Sequence, residues 1–214
     1  MKRKNLVLSI KELFFSKRCP ICNRISQKDK YICDDCYIEL KRNGKIKNIE
    51  NYYYLYYYDE KIKKIIVDFK LKNRKRLAVE IGSLINLPLK NLIAEKEIDI
   101  VLPVPISKGR EKERGFNQVE LLLDQCKIEY KKIVREKNTR HMYEIFDIKS
   151  RKENIYQAFK NIDLDLNGKT ILIVDDIVTT GSTIREIKKE IKRSCIPKEI
   201  YVFSLAVSKR FKRS

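Results

Sequence analysis

Apolar residues recur along this chain with two periods. Spacing of three and four residues predicts helices; short, nearly continuous β-prone runs predict strands. Leu6, Ile10, Leu13 and Phe14 share one face and predict an amphipathic helix over 1–18. Ile62, Ile65, Ile66 and Phe69 do the same for a helix over 60–70. Further helices are expected over 76–87, 118–126 and 183–193. Strands are expected over 52–58, bounded by Asn51 and Asp59, and over 98–104, where Pro103 and Pro105 punctuate the run. Three more are expected over 131–135, 170–174 and 200–206, while 136–158 shows no clear period. Strands alternating with helices mean βαβ units, so the expected class is α/β with a mostly parallel sheet flanked by helices. The polar stretch 41–50, with Gly44, reads as a linker and divides the chain into 1–45 and 50–214.

Composition narrows the class. The chain has 214 residues and is 43% hydrophobic, enough for one ordinary core, which excludes a disordered tail. No run approaches the ~20 apolar residues of a membrane span. The basic opening is interrupted by Lys11 and Glu12, and no small-residue cleavage site follows, so the expected compartment is the cytoplasm. The net charge of +19 suggests a polyanion partner, but the excess is spread along the whole chain. Lys outnumbers Arg 33 to 15, with 30 Ile against 4 Ala, which points to a general compositional bias. A solvated basic surface and a nucleic-acid or phosphate-rich partner both stay open.

Four of the six cysteines form a pattern: Cys19 and Cys22 in CPIC, then Cys33 and Cys36 in CDDC. Each CxxC places two sulfurs on one side of a tight turn, and two pairs complete a tetrahedral zinc shell. With all four positions filled by sulfur, such a zinc is structural. Two disulfides are the alternative, disfavoured in a reducing compartment. Cys126 and Cys195 stand alone and read as ordinary, partly buried residues. The tyrosine-rich run 52–58 reads as strand packing, with base stacking as the alternative.

The most informative stretch is ILIVDDIVTTGST, residues 171–183. An apolar strand delivers Asp175 and Asp176 to its carboxyl end, where open α/β sheets bind ligands. Thr179, Thr180, Gly181, Ser182 and Thr183 follow, and a helix begins. Free amides at a helix start, hydroxyl donors and a glycine make an anion cradle. Two carboxylates beside it suit vicinal hydroxyls or a hydrated magnesium ion. Together they describe a sugar 5-phosphate site, not a Walker loop, because no GK[ST] is present.

This stretch resembles the ribose-phosphate-binding signature of type I phosphoribosyltransferases. Resemblance to the ComF (ComFC-like) branch extends over most of the chain: the four-cysteine finger, IIVDFKLKNRKRLA at 65–78, LPVPISKGREKERGFNQVELL at 102–122 and RKENIYQAF at 151–159. One departure is Met142, where the family usually has Gln. The resemblance implies a type I phosphoribosyltransferase-like sheet preceded by a zinc module. It implies that Asp175 and Asp176 bind the ribose hydroxyls of phosphoribosyl pyrophosphate and that residues 179–183 hold its 5-phosphate. Pro105, Ser107 and Lys108 would lie in the pyrophosphate loop, with magnesium bridging pyrophosphate and ribose oxygens. Arg114 and Arg110 are candidates for the same anionic charge, or else surface solvation. Residues 136–158 would be a flap, whose His141 reads as a loop residue rather than a general base.

Two functional classes follow. One is a magnesium-dependent phosphoribosyl transfer to a nitrogen acceptor. The other is a non-catalytic competence factor that binds single-stranded DNA or recombination proteins and retains a ribose-phosphate site.

Overall fold

The computed structural model describes residues 18–27, 29–71, 74–133 and 164–211. The expected N-terminal helix, the flap with His141 and Met142, and 151–159 lie outside them.

Eleven elements are assigned among the described residues: α1 (Asp34–Asn43), β1 (Lys47–Ile49), β2 (Tyr52–Tyr57), α2 (Glu60–Leu71), α3 (Leu77–Glu95), β3 (Ile100–Pro103), α4 (Lys108–Arg114), α5 (Gln118–Gln125), β4 (Thr170–Val178), α6 (Ser182–Ser194) and β5 (Glu199–Val207). The sheet order is β1-β2-β5-β4-β3, with β1 antiparallel to β2 and the other three pairings parallel. The α/β reading with a mostly parallel sheet therefore holds.

Both faces of the sheet are covered, which is why the central strands are apolar throughout. Leu172, Val174, Phe203 and Leu205 face one core with α2, α3 and α5. Ile171, Ile173 and Val202 face the other, against Ile184, Ile187 and Ile191 of α6. Cys19, Ile32, Cys33, Cys36 and Leu40 belong to the first core, together with Leu55, Ile62 and Ile65. The cysteine module is thus seated on the same apolar mass as α2 and α3. Its seat is also polar: the Tyr31 and Ile32 amides donate to the Glu80 carboxylate, each at 3.0 Å at closest, and the Tyr37 and Ser83 hydroxyls meet at 2.6 Å.

Several expectations need correction. The 41–50 linker is not featureless: α1 continues to Asn43, and Lys47–Ile49 forms the edge strand β1. The helix expected to stop at Leu87 runs on through Pro88 to Glu95. Proline removes one backbone donor, but Leu89 and Leu92 beyond it are 0% and 1% exposed, and their burial offsets that loss. This helix is long and apolar enough by composition to cross a membrane, contrary to the expectation of no such run, yet eight of its residues are buried in the core. No strand is assigned over 131–133, the described part of the run expected over 131–135; there the Lys131 amide donates to the Val101 carbonyl at 2.9 Å. Helix α4 was not foreseen, because KGREKER carries no apolar period.

Candidate ribose-phosphate site and cysteine centre

Strands β3 and β4 run parallel, and the Val104 amide donates to the Val174 carbonyl at 2.8 Å. The chain thus leaves β3 after Pro103 beside the stretch of β4 that carries the two aspartates. This is the carboxyl edge of the sheet, where the helix-entry loops gather. Strand β4 outruns its expected end and carries both aspartates within it.

Asp175 is half-buried, and one of its carboxylate oxygens accepts the Asp176 amide at 2.8 Å. Burial first, then the adjacent Asp176 charge, pushes the Asp175 carboxyl up to about 7, with Lys70 pulling the other way. Asp176 is 5% exposed, and the Lys70 ammonium meets both its oxygens, at 2.6 and 2.5 Å. Lys70 comes from the last turn of α2, 106 residues away, inside the 65–78 stretch that shares the family resemblance but had no role assigned to it.

After β4 the chain turns through an exposed Thr179 and half-buried Thr180 into Gly181, which has φ +71°. Only glycine takes that conformation without strain. The Thr180 and Ser182 hydroxyls meet at 2.6 Å. Helix α6 then starts, with Ser182 and Thr183 half-buried in its first turn. The structure brings together Asp175, Asp176 and 179–183, with the 105–108 turn alongside.

Pro105 and Ser107 are buried and Lys108 is exposed. Ser107 caps α4, its hydroxyl accepting the Arg110 amide at 3.5 Å. Arg114, at the other end of α4, is 7% exposed and donates to Gln118 Oε1 at 3.1 Å. Arg114 Nε and Gln118 Nε2 are buried without a hydrogen-bond partner. Asn117 caps α5 through the Val119 amide (3.0 Å) and ties back to the Val104 carbonyl (3.1 Å), pinning the start of the 105–108 turn. Phe116 packs on Phe69 with ring centroids 5.8 Å apart, so the RGFNQ turn abuts the end of α2 that carries Lys70. Asn117, Gln118, Phe116 and Lys70 are supporting residues given no individual role from the sequence, although the first three fall in the RGFNQ block and Lys70 in the 65–78 stretch that carry the family resemblance.

The four sulfurs Cys19, Cys22, Cys33 and Cys36 lie within 4.8 Å of one another. Cys22 and Cys33 are 3.6 Å apart. A tetrahedron with ~2.3 Å arms has edges of roughly 3.8 Å, so the cluster fits zinc. Cys19 closes a tight turn with Asn23 and Arg24, while Cys33 stands at the residue before α1 and Cys36 in its first turn. The Arg24 hydrogen bond lowers the exposed Cys22 thiol to about 6, and burial pushes Cys36 up. Cys126 and Cys195 are buried away from this cluster.

The chain is similar to several known proteins. The phosphoribosyl transferase domain family matches residues 127–212. The DNA utilization protein YhgH of Escherichia coli K12 is 27% identical over 82% of this chain and 84% of its own. The competence protein ComFC of Streptococcus pneumoniae is 28% identical over 88% of this chain and 80% of its own. A hypoxanthine phosphoribosyltransferase from Staphylococcus aureus superposes with a TM-score of 0.44 at 17% identity, over 70% of this chain and 75% of that one.

Proposed function

We propose that this chain, a homologue of the ComF-type competence and DNA-utilization proteins with a phosphoribosyltransferase domain, binds phosphoribosyl pyrophosphate or a related ribose phosphate together with magnesium. The observation that carries this reading is the loop from Asp175 to Thr183: two carboxylates at a strand end, then a glycine-hinged hydroxyl turn into a helix start. The 5-phosphate would accept from first-turn amides of α6 and the hydroxyls of residues 179–183. The ribose hydroxyls would donate to Asp175 and Asp176. The 105–108 turn, next in the sheet, would face the pyrophosphate, with Arg114 and Arg110 supplying positive charge.

The carboxylates fit magnesium as oxygen donors, and Asp176 already holds one cation, the Lys70 ammonium. Bound magnesium would neutralise the pyrophosphate leaving group. The chain's own groups orient the donor so that its anomeric carbon faces an acceptor nitrogen. In transfer, the C1–O bond breaks with its electron pair going to pyrophosphate. The nitrogen lone pair forms the new C1–N bond, and the nitrogen's proton passes to water. Such a displacement needs alignment and charge more than a general base.

The test is calorimetric titration of phosphoribosyl pyrophosphate with and without Mg²⁺, followed by pyrophosphate release over a panel of nitrogen acceptors. Magnesium-dependent binding that disappears when Asp175 and Asp176 are both changed to Asn supports the site; unchanged affinity in that double variant overturns it. Binding without turnover favours the second reading, an accessory role in DNA handling, to which the relatives' names and the +19 charge lend support. In that case single-strand affinity should fall with salt, with a slope of about −0.7 per phosphate contact.

A further inference from the structure

We propose that Lys70 is a resident counter-ion that occupies the cation position at Asp176 and must be displaced when metal and donor bind. This rests on the ribose-phosphate reading above and adds a positioning residue to it.

The geometry is specific. Both carboxylates of the acidic pair are engaged, that of Asp175 by the Ile177 amide as well as by Asp176. Lys70 takes both oxygens of Asp176, at 2.6 and 2.5 Å, and the Asp176 amide takes one of Asp175, at 2.8 Å. An Asp176 held this way has its oxygens committed to an ammonium, not presented to a ribose hydroxyl or a hydrated metal.

The pair is also poised to exchange. Asp176 is deeply buried, its side chain 8% exposed, so it needs a cation in place at all times; unpaired, it would carry the full cost of a buried charge. The Lys70 side chain is 22% exposed and hangs from the final turn of α2, with a flexible stem that reaches solvent by rotamer change. Its neighbour Phe69 is 1% exposed and locked against Phe116, so the helix end stays put while the ammonium moves. An incoming divalent ion thus replaces one positive charge by two and restores the buried carboxylate's partner. It can do so only when the donor's own anionic oxygens add to its binding. Metal alone meets a site already neutralised, whereas metal with donor does not. Lys70 therefore makes metal uptake depend on donor.

The experiment titrates Mn²⁺ into the full, zinc-loaded chain, reading free ion by electron paramagnetic resonance, with and without phosphoribosyl pyrophosphate. Parent, Lys70→Met and Lys70→Gln are compared; Met keeps the stem's packing, Gln keeps a hydrogen-bond donor for the Asp176 oxygens, and thermal melts check that each variant is folded. Removing one charge in contact with the metal position should tighten donor-free Mn²⁺ binding roughly tenfold or more. Adding donor should then tighten it much less than in the parent. Equal donor-free affinity in parent and both variants overturns the proposal even if donor binding is intact. So does a loss of donor binding with unchanged Mn²⁺ affinity, which would make Lys70 a donor ligand. If no variant binds donor, yet Mn²⁺ affinity rises when Lys70 is replaced, the ribose-phosphate reading fails while the displacement of Lys70 stands.

Discussion

Phe211 closes over Gly181. A Cβ built on that glycine would stand 2.8 Å from the phenyl Cε2 and 3.2 Å from Arg185 Nη1. The ring in turn packs on Tyr52, centroids 5.0 Å apart. A residue thirty positions downstream thus forms the wall behind the turn into α6.

Gly181→Ala tests that wall. The substitution meets both a positive φ and the ring, and should cost about 2–3 kcal/mol. It should also weaken donor binding beyond its effect on folding, because the turn must shift. Phe211→Ala in the Gly181→Ala background relieves the contact but not the φ strain. Chemical denaturation should therefore recover only part of the loss. Full recovery would mean that the backbone conformation carries no strain.

The Asp175 carboxyl, raised by burial and by Asp176, makes a pH prediction. In the unfolded chain it ionises near ~4. Between there and about 7 the folded protein keeps a proton that the unfolded chain has lost, so stability from this group falls as pH rises through that window. Asp175→Asn removes the ionisation. Its stability relative to the parent should rise from pH 5 to pH 7 and level off above, as followed by denaturant midpoints. Donor binding should move oppositely, strengthening through the same window in the parent, because a charged Asp175 is the better acceptor. A pH-independent difference between the two proteins would sink the assignment.

Much of this architecture was legible in the sequence because it is local. The run 170–174 and the loop 179–183 could be read directly, since strand, turn glycine and helix start are contiguous. The failures are non-local or lack a pattern. Helix α4 has no apolar stripe to betray it, and it stands on the Ser107 cap and Arg114 burial. Pro88 looked like a stop, but burial of Leu89 and Leu92 carried the helix past it. Lys70 stood in the 65–78 stretch of the resemblance without a role of its own, and only the meeting of α2 with β4 gives it a partner. Asn117 sat in a block noticed for its arginine, though its amide is what holds Val104.

Metal removal should be felt beyond the cysteine module. Cys19, Ile32 and Leu40 share a core with Leu55 and Ile62, and Glu80 of α3 holds two amides of the module. Stripping zinc with a strong chelator should release one ion per chain and lower the melting temperature of the whole chain. A loss of a few kcal/mol corresponds to a drop on the order of 10 °C at this size. A separate low-temperature transition, with the main one unmoved, would show instead that the module unfolds independently. Elemental analysis alongside differential scanning fluorimetry distinguishes the two.

Arg114 sets stability against binding. It is 7% exposed, and among the described residues its hydrogen bond goes to neutral Gln118 rather than to a carboxylate, with Nε unmatched. A buried cation without a counter-charge disfavours folding, and replacing it with a well-packed apolar group is often neutral or stabilising. Arg114→Met should therefore leave unfolding free energy within about 1 kcal/mol of the parent, the orphaned Gln118 oxygen offsetting part of the gain. If the unmatched donors serve an anionic oxygen of the donor, pyrophosphate affinity should fall at least tenfold in the same variant, as expected for a lost charge-assisted hydrogen bond. Calorimetry with inorganic pyrophosphate and Mg²⁺ reads the second effect, and urea denaturation reads the first. A variant destabilised by several kcal/mol that binds pyrophosphate normally would make Arg114 a structural pin between α4 and α5.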